Sequence, residues 1–148
     1  MSETVTKLQY NMYKPRKTGG GCAIEFSDTA TSEGLMFSIA PQKGSEDKAF
    51  DWDKKLIIKL NAGELGSIIS LFNGVGTEVK LFHKWKETST AINVQKSDKQ
   101  PGFVVFVNRG DIKFAFGIGL GEVEVLKVLF KRVILDTLFV QFIPKAKA

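Results

Sequence analysis

Along the first third of the chain, apolar and polar positions alternate with a period of two. The runs are short and broken by turn residues, the pattern of an antiparallel meander. Residues 5–13 alternate loosely, with Leu8, Tyr10 and Met12 on one side and Lys7, Gln9, Asn11 and Tyr13 on the other. After Lys14-Pro15-Arg16-Lys17 and the glycines Gly19, Gly20 and Gly21, a second strand places Cys22, Ile24 and Phe26 on one face. Leu35, Phe37 and Ile39 line the inner face of a third, and over 55–60 Leu56, Ile58 and Leu60 oppose Lys55 and Lys59. Four strands are therefore expected before any helix.

The period then lengthens. Asn61 is a good N-cap, and Glu64 three residues on completes a capping-box pattern. Leu65, Ile68, Ile69 and Phe72 recur at helical spacing, and Asn73-Gly74 supplies a left-handed stop. The plan repeats, with strands predicted over 78–85, 91–96, 103–108 and 112–118. Ile112, Phe114, Phe116 and Ile118 share one face of the last, and Asn108-Arg109-Gly110-Asp111 makes a tight hairpin turn. A second helix runs from 119 or 120 to 136. The expected fold class is α+β: two antiparallel four-stranded sheets, each followed by a helix, as one domain over 1–148. Its pseudo-repeats are 5–74 and 77–136, and 137–148 form a tail.

The second helix is apolar on two sides. Val123, Leu126, Leu129, Phe130, Val133 and Ile134 face the sheet, whereas Val125, Val128 and Leu135 lie roughly opposite. Such a helix needs two partners, and the second is expected to be another copy of the chain. The apolar stretch from Leu138 to Ile143 either extends that contact or folds back over the same face.

Composition narrows the chemistry. The 148 residues are 43% hydrophobic and 25% charged, ordinary globular values, with a net charge of +5. A single cysteine, Cys22, and a single histidine, His83, argue against disulfides, zinc clusters and histidine pairs, so no metal or cofactor is expected. No apolar run reaches the roughly 20 residues of a membrane span. The first residues lack the plan of a signal or transit peptide. A cytoplasmic protein is expected, nucleoid-associated or in a host cytoplasm if viral, with no membrane partner. No Gly-x-Ser-x-Gly elbow supports nucleophilic catalysis. The glycines Gly117, Gly119 and Gly121 read as a close-packing turn and not as a dinucleotide loop. A non-enzyme is the expectation.

Several segments together resemble the Whirly single-stranded DNA-binding proteins. These are the stretch from Gly34 through Ala40-Pro41-Gln42, the turn Phe50-Asp51-Trp52-Asp53-Lys54-Lys55, and the helix Glu64-Leu65-Gly66-Ser67-Ile68-Ile69-Ser70-Leu71. In that family a strand ending in Ala-Pro leads to an aromatic-Asp-Trp turn, a basic strand and a helix reading Glu-Ile-Gly-Thr-Leu-x-Ser-Leu. Phe82-His83 and the two strands that follow extend the likeness from Tyr10 to about Leu135. Where plant members carry Lys-Gly-Lys-Ala-Ala-Leu, this chain has Lys14-Pro15-Arg16-Lys17 and glycines. Without the transit peptide and the acidic or Gln-rich activation tract of plant members, a non-plant member of phage or prokaryotic type, or a mature form, is expected. The resemblance implies a homotetramer that binds single-stranded DNA along its sheets, protecting unpaired strands in replication, recombination or repair. Kinetoplastid relatives of the fold anneal guide RNA, so RNA is the alternative ligand. A protein-interaction module is the alternative of another class.

Sequence-tolerant binding of single strands needs cations for phosphates and flat rings for unstacked bases. Three segments interleave the two. The first holds Tyr10, Tyr13, Lys14, Arg16 and Lys17, the second Trp52, Lys54 and Lys55, and the third Lys80, Phe82, Lys84, Trp85 and Lys86. Trp85, between two lysines at a strand end, is the best candidate for an exposed stacking ring. Trp52 reads equally as packing anchor or base platform. Phe37, Phe106, Phe114 and Phe116 occupy alternating positions and are expected in the core. His83 reads as a strand histidine with its hydrogen bonds satisfied.

Overall fold

The computed structural model describes residues 8–29, 33–44 and 49–139. Strands β1 (Gln9–Lys14), β2 (Cys22–Asp28), β3 (Leu35–Pro41) and β4 (Leu56–Leu60) form one antiparallel sheet in chain order, followed by helix α1 (Ala62–Phe72). Strands β5 (Glu78–Trp85), β6 (Thr88–Lys96), β7 (Phe103–Arg109) and β8 (Ile112–Ile118) form a second sheet of the same order, followed by α2 (Leu120–Phe139). The double four-strands-and-helix plan read from the periodicity is the observed architecture. The order has one addition, a single 3₁₀ turn over Trp52–Lys54 before β4. The predicted start of the first strand at 5–7 lies outside the described residues, as does the tail beyond 139. Its first three residues, 137–139, continue α2.

Local chemistry sets the helix ends. Asn61 accepts from the Glu64 backbone N–H at 2.8 Å while Glu64 Oε1 accepts from the Asn61 N–H at 3.0 Å, the reciprocal capping box. At the other end of α1, Gly74 takes φ +93, and the N–H groups of Gly74 and Val75 donate to the carbonyls of Leu71 and Ser70. That is a Schellman stop. In α2, Glu122 Oε1 accepts from the Gly119 N–H at 2.9 Å and so repeats half of the box.

The two halves match in register as well as in order. Gly34 (φ +94) and Gly102 (φ +125) each precede the third strand of their sheet. A Cβ on Gly34 would sit 2.4 Å from the Leu60 carbonyl oxygen, and one on Gly102 2.1 Å from that of Ile118. Both carbonyls belong to the last residue of the fourth strand. Only glycine permits this backbone approach and this φ together.

The core lies between the inner faces of the sheets and the apolar stripes of the helices. Phe37 meets Phe116 across the sheets with ring centroids 6.3 Å apart. Phe130 of α2 meets Phe26 at 5.7 Å and Phe72 of α1 at 6.4 Å. Phe37, Phe114 and Phe116 are buried as expected, whereas Phe106 is 37% exposed. Phe106 pairs with Asn93 and Ala115 on the outer face of the second sheet, opposite in parity to buried Val105 and Val107. Ile112 has core parity yet is exposed, because it lies at the hairpin end beyond the packed faces. Val125, Val128 and Leu135 form an exposed stripe on α2, the latter two 70% and 53% exposed.

Two expectations follow. Phe130→Ala removes a ring that bridges the first sheet and α1, and denaturant unfolding should register a loss of about 3–5 kcal/mol. Cys22 is buried, and burial pushes its thiol up to about 11, only partly offset by Arg16 and Lys14. The native protein therefore retains a proton that the unfolded chain releases from about pH 9. This contribution to stability should be complete below pH 9 and disappear as the pH rises through 11. At pH 8 a disulfide reagent should label Cys22 slowly in the native protein and promptly once it is unfolded.

Candidate nucleic-acid interface

A cleft of about 710 Å³ opens where the hairpin end of the second sheet approaches β4 and the start of α1. One wall carries Ile57, Lys59, Asn61 and Glu64, and the other Phe82, His83, Lys84, Trp85, Thr90 and Arg109. Trp85 is 71% exposed and Phe82 66%. A large ring left in water is unfavourable unless something covers it in use, and two such rings flank one opening here. Lys59, Lys84 and Arg109 supply three cations. Glu64 is the single carboxylate among the lining residues, and its Oε2 lies 2.6 Å from His83 Nε2. The cleft is therefore net positive, apolar at its lip and hydrogen-bonding at its base.

Local geometry positions these groups. Trp85 and Thr88 pair across a two-residue loop, in which Lys86 adopts φ +56, a conformation that side chains with a Cβ rarely take. The Lys86 ammonium lies 4.5 Å from the Trp85 ring centroid, a cation–π contact. Lys80 is exposed and 3.6 Å from Glu78, a weak surface pair outside the cleft. His83 is held by Glu64, so it is a strand histidine with a fixed partner, as read from the sequence.

The remaining predicted residues lie on the first sheet. Tyr13 is exposed on its outer face, 5.8 Å from Phe50. Its cross-strand neighbour is Ala23, and that of Phe82 is Ala91, so each sheet presents an aromatic ring beside an alanine at the corresponding place. Arg16 and Lys17 are exposed in the β1–β2 connection, where Gln42 Oε1 accepts from the Arg16 N–H. Lys54 and Lys55 are exposed and Trp52 half-buried around the 3₁₀ turn, which leaves the β3 end through Asp51 N–H donating to the Pro41 carbonyl.

Tyr10 and Lys14 are placed differently from the rest. Tyr10 packs against the core on the inner face, where burial and then the nearby Glu122 carboxylate raise its pKa. Lys14 Nζ lies 2.7 and 2.8 Å from the two Glu122 oxygens, so its charge is already matched. The pair borders a second, smaller cleft of about 380 Å³ between the end of the first sheet and the start of α2. Glu122–Lys14 corresponds to Glu64–His83: in each half the third-position helix glutamate reaches to the first strand of the other half. The three predicted segments thus divide between two related ends of the molecule. Among the described residues, no group of three or more His, Cys, Asp or Glu could hold a metal ion.

Arg109, Ile57 and Lys59 complete the first cleft but were absent from the predicted site. Arg109 reads as a turn residue from its Asn-Arg-Gly-Asp context. The exposed parity of Ile57 and Lys59 was legible, but their approach to the other sheet was not.

No protein-family model matches the sequence, and no curated protein matches it. Solved structures do. WHY1 from Arabidopsis thaliana superimposes with a TM-score of 0.75 at 17% identity, over 95% of this chain and 90% of that one. The plant transcriptional regulator PBF-2 gives 0.70 at 22%, over 98% and 92%. MRP1/MRP2 of a trypanosome gives 0.66 at 13%, over 93% and 98%. The likeness spans both sheets and both helices, and the architecture of this chain is the Whirly fold.

Proposed function

We propose that the protein binds single-stranded DNA with little sequence preference and protects unpaired strands during replication, recombination or repair, without catalysis. The observation that carries this reading is the cleft in which Trp85 and Phe82 stand exposed beside Lys59, Lys84 and Arg109. Rings accept any unstacked base, and cations accept any phosphate. A duplex hides its base faces and offers these rings nothing to stack on. The Whirly fold supports the same conclusion. Likeness to trypanosome MRP1/MRP2 supports RNA as the alternative ligand.

The proposed working form is a homotetramer. Its support on this chain is the exposed stripe of Val125, Val128, Leu135 and Leu138 on α2, apolar surface that a second copy would cover. Sedimentation should give the mass of four chains, and Val128→Asp should lower it.

Fluorescence titration with a mixed-sequence oligonucleotide tests the binding reading. Affinity should fall with salt at a log–log slope of about −0.7 per phosphate neutralised. Trp85→Ala should weaken binding by about 1–3 kcal/mol, the worth of one stacked base. Equal or tighter binding to duplex of the same sequence would refute the assignment. Matched DNA and RNA oligomers in competition separate the two ligands.

A further inference from the structure

The cleft contains a cation whose arrangement the fold itself does not require. Arg109 is half-buried, and its Nε donates to Thr90 Oγ1 at 2.7 Å while Nη2 lies 3.4 Å from the Ile57 carbonyl oxygen. The guanidinium therefore spans from the second sheet to the edge strand of the first. Thr90 is 2% exposed. No carboxylate among the described residues lies within ion-pair distance of Arg109, although Lys59 and Lys84 line the same cleft.

The internal repeat provides a control. Counted from Gly102 and Gly34, Arg109 occupies the position that Pro41 holds in the first half. Their cross-strand partners are Thr90 and Cys22 respectively. Cys22 is as buried as Thr90, so the same strand pairing is filled there by a thiol and a proline ring. A hydroxyl holding a guanidinium is thus dispensable for the sheet. Partial burial of a cation with no ion-pair partner, in a cleft lined by two others, is unfavourable until an anion arrives.

We infer that Arg109, oriented by Thr90, is a preformed anchor for one phosphodiester of the bound strand, fixing the backbone at the base of the cleft so that bases reach Phe82 and Trp85. Arginine suits this task because its fork makes two parallel hydrogen bonds to phosphate oxygens, and one edge held by Thr90 and the Ile57 carbonyl leaves the Nη1 N–H groups and the second Nη2 N–H for the ligand. Thr90 acts through Arg109 and is a positioning residue. The inference rests on the proposed strand binding.

The test is oligonucleotide titration over a range of salt with wild type, Arg109→Ala, Arg109→Lys, Thr90→Val and, as an exposed control in the β6–β7 connection, Lys99→Ala. Arg109→Ala should weaken binding roughly tenfold and reduce the salt slope by about 0.7, one phosphate's share. Arg109→Lys should keep the slope yet lose several-fold in affinity, because the charge remains and the fork does not. Thr90→Val should resemble Arg109→Lys, and Lys99→Ala should match wild type. If wild type binds and both Arg109 variants keep its affinity and slope, the anchor is refuted while strand binding stands. A loss of affinity in Arg109→Ala with an unchanged slope makes the arginine structural and also overturns the anchor. Failure of wild type to bind any single strand removes the functional reading and the anchor together.

Discussion

Phe37 and Phe116 touch across the space between the two sheets, and Phe130 joins that seam to both helices through Phe26 and Phe72. Each sheet buries one face only by lying against the other half of the chain. Neither half has a complete core of its own, so the two fold as a unit. The clefts follow from this packing. Inner faces meet at their centres, while the hairpin ends run past the contact, leaving His83 in one half and Lys14 in the other to face the opposite helix.

The internal repeat gives the molecule two ends with one frame and different furnishing. At the first end, the helix glutamate meets histidine, and rings and unmatched cations surround it. At the second, the glutamate is matched by Lys14, and Gly117 stands where Lys59 stands in the other half. The same backbone therefore presents a positive, ring-lined opening at one end and a smaller neutralised one at the other. The difference resides in side chains and in the first-to-second-strand connection, seven residues in the first half and two in the second.

Most of the fold was legible in the sequence because alternation reports parity, and parity decides which side chains share a face. Elements came out in the right order and nearly the right places. Parity does not say which of two faces is inward, and Phe106 shows the gap: its hydrophobicity suggested burial, but its neighbours Val105 and Val107 hold the inner positions. The site was legible in part. Exposed Phe82, Trp85 and Lys84 could be found from aromatic and basic residues alternating along one strand. Tyr10 shares the parity of Leu8 and Met12, so its inward placement was already written in the pattern. Lys14 could not be judged, because its partner Glu122 lies on a distant helix. Arg109 was hidden for the same reason, since its meaning depends on Thr90 across a ladder and Ile57 on another sheet.

Glu64 has two duties, one for each oxygen: Oε1 closes the capping box of α1 and Oε2 receives His83 from the edge strand of the second sheet. A carboxylate shared in this way makes the spacing between β5 and α1 and the order of the first helical turn a single mechanical variable. Moving those elements apart breaks at least one of the two bonds, the link to His83 or the closure of the helix. One side chain thus couples the cleft wall to the start of the helix.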